Sequence, residues 1–174
     1  MYRHLKISIL SLLLLFSIYA QNDSISQLPE NEKGVALIIP VEGTVDAGMA
    51  AFISRAVENS KTYKNPVIIL EIDTYGGEVD AAFQIVDTLI NTKDTIISYV
   101  KTKAISAGAL IALAGNKLVM KKGTTIGDVA PLTYSEGGKP TMLGEKFQSP
   151  IRAKFRTLAK RNGYPEALTE AMVT

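Results

Sequence analysis

The sequence predicts an α/β fold with a largely parallel sheet. Short aliphatic runs occur at residues 35–41, 67–72 and 95–100. Continuous, branched runs of this length are typical of strands buried in parallel sheets. After the first two runs, apolar residues return at helical spacing, and glycine or Asp/Asn-rich stretches separate the segments. Alternation of strand and helix is the pattern of an α/β domain.

The elements follow in order. Pro40 lies near the end of the first run. Val45, Met49, Phe52, Ile53, Ala56 and Val57 then mark one face of a helix, with Asp46 placed for its first turn. Residues 58–65 read as a polar loop. Pro66 opens the second strand, 67–72, and 73–77 (Asp-Thr-Tyr-Gly-Gly) read as a turn. Val79, Ala82, Phe83, Val86, Leu89 and Ile90 form the face of a second helix, and 95–100 a third strand. Residues 106–114 are small and apolar all round, which predicts a buried helix. A short strand at 117–120 and a turn at 123–127 follow. Residues 130–145 hold glycines and prolines without periodicity and read as a long functional loop. Ser149 and Pro150 predict an N-cap and first helical position, with Ile151, Phe155, Leu158 and Ala159 as the apolar face and Gly163 past the end.

The N-terminus stands apart. Arg3 and Lys6 precede an apolar run at 7–19, then Ala20 and a polar stretch containing Pro29. This order predicts a signal peptide at 1–20, a linker at 21–33 and an exported domain on the periplasmic or extracytoplasmic side. Ile18 is an imperfect residue three places before the cut, and an uncleaved anchor stays open. Without residues 1–20, 17 basic and 17 acidic residues remain of the 19 and 17 in the whole chain. No basic footprint for nucleic acid is left. The chain has no cysteine, which excludes thiolate nucleophiles and zinc–thiolate sites. No metal or cofactor is called for.

The single histidine is His4, inside the predicted signal, so the mature domain has none for a Ser–His–Asp triad or a metal site. A serine nucleophile would need another base, and a desolvated lysine can serve. Ser106, between a strand and a buried helix with small neighbours, is the best local candidate. On spacing alone, however, an N-cap in a tight helix contact is the stronger reading. Gly76-Gly77 can aim backbone N–H groups at an oxyanion, or simply form a turn. Nothing local distinguishes Lys146 from Lys139 or Lys154. Glu71 and Asp73, at a strand end, fit a structural role better than acid–base work.

Taken together, residues 41–48, 69–74 with 76–82, 106–109, 125–127, Lys146 and 152–163 resemble the NfeD-family membrane-bound serine proteases, a branch of the Clp-protease (crotonase-like) fold of repeated β-β-α units. The resemblance covers residues 35–174. It implies Ser106 as nucleophile, Lys146 as general base, and Gly76, Gly77 and the Ala107 N–H as the oxyanion region. It also implies that Glu78 and Val79 lie on an edge that pairs with an extended peptide. Tyr75 stands where the family usually has proline. Family members generally continue beyond the point matching Thr174, which leaves open an incomplete Clp-like protease domain at 34–174 and membrane association through a missing C-terminal region.

The function expected is serine endopeptidase activity through a Ser–Lys dyad on apolar peptide segments, with a stomatin-like membrane protein as a partner and a homo-oligomeric state. Two alternatives stay open: a non-catalytic envelope scaffold of the same fold, and an acyl-CoA hydratase-like enzyme. The export signal argues against the latter, because the coenzyme is cytoplasmic.

Overall fold

Strand β1 (Ala36–Val45) and helix α1 (Ala47–Ser60) start an alternation that continues with β2 (Val67–Gly77), α2 (Val79–Asn91), β3 (Thr95–Ile105) and α3 (Ala107–Ala114). The computed structural model describes residues 34–134 and 137–173. The expected signal peptide and linker therefore lie outside the described residues.

The main sheet has five parallel strands in the order β1-β2-β3-β4, where β4 is Lys117–Met120. The fifth, β5 (Thr125–Gly127), pairs with β3 beyond the end of β4, through Lys103, Ala104 and Ile105. Its position carries the chain from the sheet edge to the start of α3. A strand stands here instead of the expected turn, because β3 runs on past Val100 and offers a free ladder. The turn expected at 73–77 is likewise strand. Beyond a register shift at 42–44, Thr44 and Val45 pair with Gly76 and Gly77.

Burial follows the period of two along the strands. Ile68, Leu70, Ile72 and Thr74 of β2, and Ile96, Ser98 and Val100 of β3, point into the core, where α3 is buried at every position. Their alternates are only half-buried. They include two cross-strand charge groups, Asp73 with Lys103, and Glu71 with Lys101 and Glu42. Glu71 and Asp73 thus serve the sheet. Lys103 first, then Thr102, holds the Asp73 carboxyl below its ordinary range by hydrogen bonding to the charged form.

Asp46 is the N-cap of α1 rather than a first-turn residue, and its carboxylate accepts the Met49 N–H at 2.8 Å. Val45 is the last residue of β1, and Phe52, expected on the buried face, is 40% exposed. The stretch 130–145 is not a structureless loop. It contains an antiparallel pair, β6 (Leu132–Tyr134) and β7 (Pro140–Met142).

The largest correction concerns α4, which spans Glu145–Asn162 and places Pro150 inside the helix rather than at its start. Ser149 is consequently not the N-cap. Pro150 has no N–H to give to the Lys146 carbonyl, a loss that would ordinarily end the helix. The Gly144 carbonyl accepts the Phe147 and Gln148 N–H groups at 2.9 and 3.3 Å, and side chains brace the extra turn. Arg152 binds both carboxylate oxygens of Glu145 and donates to Gln148 Oε1 at 3.1 Å, while Gln148 Nε2 donates to the Leu143 carbonyl at 2.8 Å. Gly163 ends α4 in the left-handed conformation, as its sequence position predicts. A short helix, α5 (Glu166–Glu170), follows.

Candidate active site

The C-terminal ends of β2 and β3 and the start of α3 meet at Ser106. Its backbone, at φ 53° and ψ −118°, lies in a region that non-glycine residues rarely occupy. Such a conformation costs about 1–3 kcal/mol and persists only where the surroundings impose it. Those surroundings are visible. The Ser106 N–H donates to the Gly127 carbonyl at 2.9 Å, which ties the residue to β5. Its own carbonyl accepts the Ala109 N–H at 3.0 Å, which starts α3. A sharp strand-to-helix turn of this kind presents the serine side chain at the top of a sheet. The hydroxyl makes no capping hydrogen bond, so the N-cap alternative does not describe what this side chain does.

Glycine is required on the facing strand. Gly76 has φ +99°, and a Cβ there would sit 2.8 Å from both the Ile105 carbonyl oxygen and the Ser106 Cβ. A Cβ on Gly77 would collide with the backbone of Val45. The two positions let β2 pass between β1 and the Ser106 turn. The Gly76 N–H donates to Thr74 Oγ1 at 2.9 Å, and the Thr74 hydroxyl in turn donates to the Gly43 carbonyl. What Gly76 contributes is therefore close approach, with its donor already engaged. Thr74, buried at 1% exposure, is the hub of this arrangement and also packs against Gly108. Local spacing gave no reason to single it out. Strand parity was the available signal, since Thr74 is the polar residue on the inward set with Ile68, Leu70 and Ile72.

Two adjoining spaces open beside the serine. A cleft of about 630 Å³ is bordered by Tyr75, Gly77, Glu78, Val79, Ser106 and Leu132, among others. A small apolar pocket runs inward from it between Val79, Ala82, Leu110, Ile151 and Phe155, with Ser106 and Ala107 at its mouth. The structure thus gathers Ser106, Ala107, Gly77, Glu78 and Val79. Lys146 borders neither space. It lies in the first turn of α4, exposed, and no hydrogen bond or ion pair joins its ammonium to a described residue. Met142 and Phe147, the apolar residues near it in the chain, are 51% and 54% exposed. Lys154, by contrast, is engaged with Asp87 at 2.8 Å. Among the described residues no group of His, Asp or Glu is arranged to hold a metal ion.

Residues 35–174 match the family model described as NfeD1b, N-terminal domain. The chain belongs to this family. Among curated relatives, it is 34% identical over 131 residues to membrane protein NfeD1b of Bacillus subtilis, covering 75% of this chain and 29% of that one. It is 29% identical over 146 residues to the membrane-bound protease PH1510 of Pyrococcus horikoshii, covering 82% and 33%. The NfeD1b-family chain thus spans about a third of the length of these relatives. Among solved structures, it superposes on the 1510-N membrane-bound stomatin-specific protease with a TM-score of 0.75 at 28% identity, over 82% of this chain and 70% of that one. That structure carries a serine-to-alanine substitution. A lysine-to-alanine variant of 1510-N in complex with a substrate peptide gives 0.76 at 28%, over 82% and 67%. The fold is therefore the mixed α/β fold of the 1510-N protease domain. No helix of the described residues is long and apolar enough to cross a membrane.

Proposed function

We propose that this domain hydrolyses peptide bonds in apolar segments, with Ser106 as nucleophile and Lys146 as general base. The observation that carries the reading is the strained, tethered backbone of Ser106 at the junction of the cleft and the apolar pocket. In the reaction, neutral Lys146 Nζ takes the Ser106 hydroxyl proton as Oγ attacks the substrate carbonyl. The proton passes to the departing amine, leaving an acyl ester on Ser106. Water, deprotonated by Lys146 Nζ, then attacks the ester carbonyl; the bond to Ser106 Oγ breaks, the acid leaves, and Lys146 returns the proton to Oγ.

The oxyanion that forms meets backbone donors. The Ala107 N–H is at the first turn of α3, where helical N–H groups lack partners within the helix. The Glu78 N–H donates to the Val45 carbonyl at 2.8 Å. Alternation along a strand turns the Gly77 N–H to the opposite side, where pairing with β3 has ended at Thr74 and Ala104. Gly77 and Ala107 are thus the donors we assign, with Gly76 keeping the approach open. The apolar pocket takes the side chain next to the cut, and the segment at Glu78 and Val79 pairs with the extended peptide.

For Lys146 to act, the first turn of α4 must come over the cleft when peptide binds, with Met142, Leu143 and Phe147 closing around the amine. Such closure steps are common in enzymes that exclude water from the reaction. The stomatin specificity in the description of the archaeal relative makes a stomatin-like membrane protein the first substrate to try. Export to the extracytoplasmic side and homo-oligomerisation belong to the same proposal. The test is labelling of the purified protein by a fluorophosphonate, compared with Ser106→Ala. Covalent labelling lost in the variant supports the reading, and no labelling of the wild type refutes it. A non-catalytic scaffold is the second reading, favoured by the exposure of Lys146.

A further inference from the structure

We infer that Tyr75 is a specificity-determining residue, whose ring meets a bulky apolar or aromatic side chain of a bound extended peptide. The inference rests on peptide binding in the Ser106 cleft, as proposed above. Tyr75 is 76% exposed yet lies on β2, directly between the anchored Thr74 and Gly76. Isolated exposed aromatics are ordinary on protein surfaces. This ring differs in two respects.

The first is position. Tyr75 borders the cleft beside Ser106 but not the apolar pocket, so it meets a different residue of the peptide from the one that fills the pocket. Val79 and Leu132, 39% and 48% exposed, continue an apolar rim around the same cleft. The second is restraint. The Lys103 ammonium stands 4.4 Å from the ring centroid, and Asp73, which also accepts from Thr102, fixes that ammonium in turn. A clamped tyrosine offers a large contact area at little further entropic cost on binding. Lys103 occupies one ring face and leaves the remainder of the ring to a ligand. No hydrogen bond to a described residue engages the phenol hydroxyl, so the ring surface carries the contact.

The test uses Ser106→Ala protein and a fluorescein-labelled apolar peptide series in which one residue at a time is Ala, Leu or Phe. Anisotropy should reveal one position, apart from the pocket-filling residue, at which Phe or Leu tightens Kd about tenfold over Ala. Adding Tyr75→Ala should flatten that preference to about onefold, while Tyr75→Phe keeps it. An unchanged preference in the Tyr75→Ala protein overturns the inference. If Tyr75→Ala disturbs the fold, Lys103→Met decides, because it releases the ring while changing no residue of β2, with thermal melts checking that the fold survives loss of the Asp73 pair: a weakened preference supports the role and an intact one refutes it. Failure of fluorophosphonate labelling in the Ser106 protein would instead sink the hydrolase reading and leave this binding result to stand or fall separately.

Discussion

The Ser106 turn and the Lys146 turn sit at the starts of two helices, yet they are built in opposite ways. Ser106 is held by backbone. Its N–H is tied to Gly127, its carbonyl starts α3, and it packs so close to β2 that a Cβ on Gly76 would clash with it. Lys146 rides on a turn closed by the Gly144 carbonyl, which accepts the Phe147 and Gln148 N–H groups, and braced by side chains. The turn that carries it stands upstream of Pro150 and depends on Arg152, Glu145 and Gln148 at a largely exposed surface. A nucleophile must keep its geometry through the reaction, whereas a base that needs desolvation gains from arriving with the substrate. The contrast teaches that the Ser106 turn is preformed, whereas the proposed role of Lys146 requires its turn to move.

The sharpest break of the comparison is at the rigid half. Ser106→Ala should lower peptide turnover by a thousandfold or more, on the order seen for removed nucleophiles. Its thermal unfolding should stay close to wild type, since one hydroxyl without a capping bond is lost. Unchanged turnover of an apolar peptide would contradict the assignment. Lys146→Ala should lose about as much, because the two residues act as a unit. Lys146→Arg should also be inactive, since guanidinium does not deprotonate in this range. Hydrolysis by the arginine variant near the wild-type rate would remove Lys146 as the base.

Gly77→Ala tests the walls of the site. A Cβ against Val45 must push β1 and β2 apart, and we expect a loss of roughly 2–4 kcal/mol by denaturant unfolding, together with loss of activity. At the Lys146 turn, Arg152→Gln should leave the fold in place but reduce kcat by about tenfold, with little change in KM, because a misplaced base slows chemistry more than binding. An equal fall in Ser106 labelling and turnover would instead point to general damage.

The smallest effect concerns the Asp73–Lys103 pair. The Asp73 carboxyl is held below its ordinary value, so its contribution to stability is present above the unfolded pKa of about 3.9 and is lost as pH falls through the lower folded value. Lys103 is raised by the same partner, so its contribution is present below the unfolded value of about 10.4 and is lost as pH rises through the folded one. Thermal melts of Lys103→Met should show a shallower acid limb than wild type, and an identical limb would assign it to other carboxylates.

Much of the fold was legible from composition and period alone. The aliphatic runs at 67–72 and 95–100 lie in strands, and the small apolar stretch at 107–114 is a fully buried helix. Gly163 ends α4 as its type predicts. The local signals that misled were those outweighed by pairing or by side-chain clamps. The glycines at 76 and 77 read as a turn, yet β1 supplied a partner that kept them in strand. Ser149-Pro150 read as a helix start, yet Arg152 and Gln148 held a further turn ahead of the proline.

The sequence by itself determined the α/β alternation, the absence of any histidine beyond His4, and hence that a serine hydrolase here would need an unusual base. It also offered Ser106 and the two glycines as candidates at strand ends, although local spacing alone favoured an N-cap and a turn there and only the family resemblance favoured a site. Only the tertiary structure decided that Ser106 adopts a strained backbone and that the Thr74 hydroxyl donates to the Gly43 carbonyl. It alone put Tyr75 at the mouth of the cleft and left Lys146 outside it. These depend on which strands lie side by side and on where their pairing stops, and contacts between residues far apart in the chain leave no periodic trace in it.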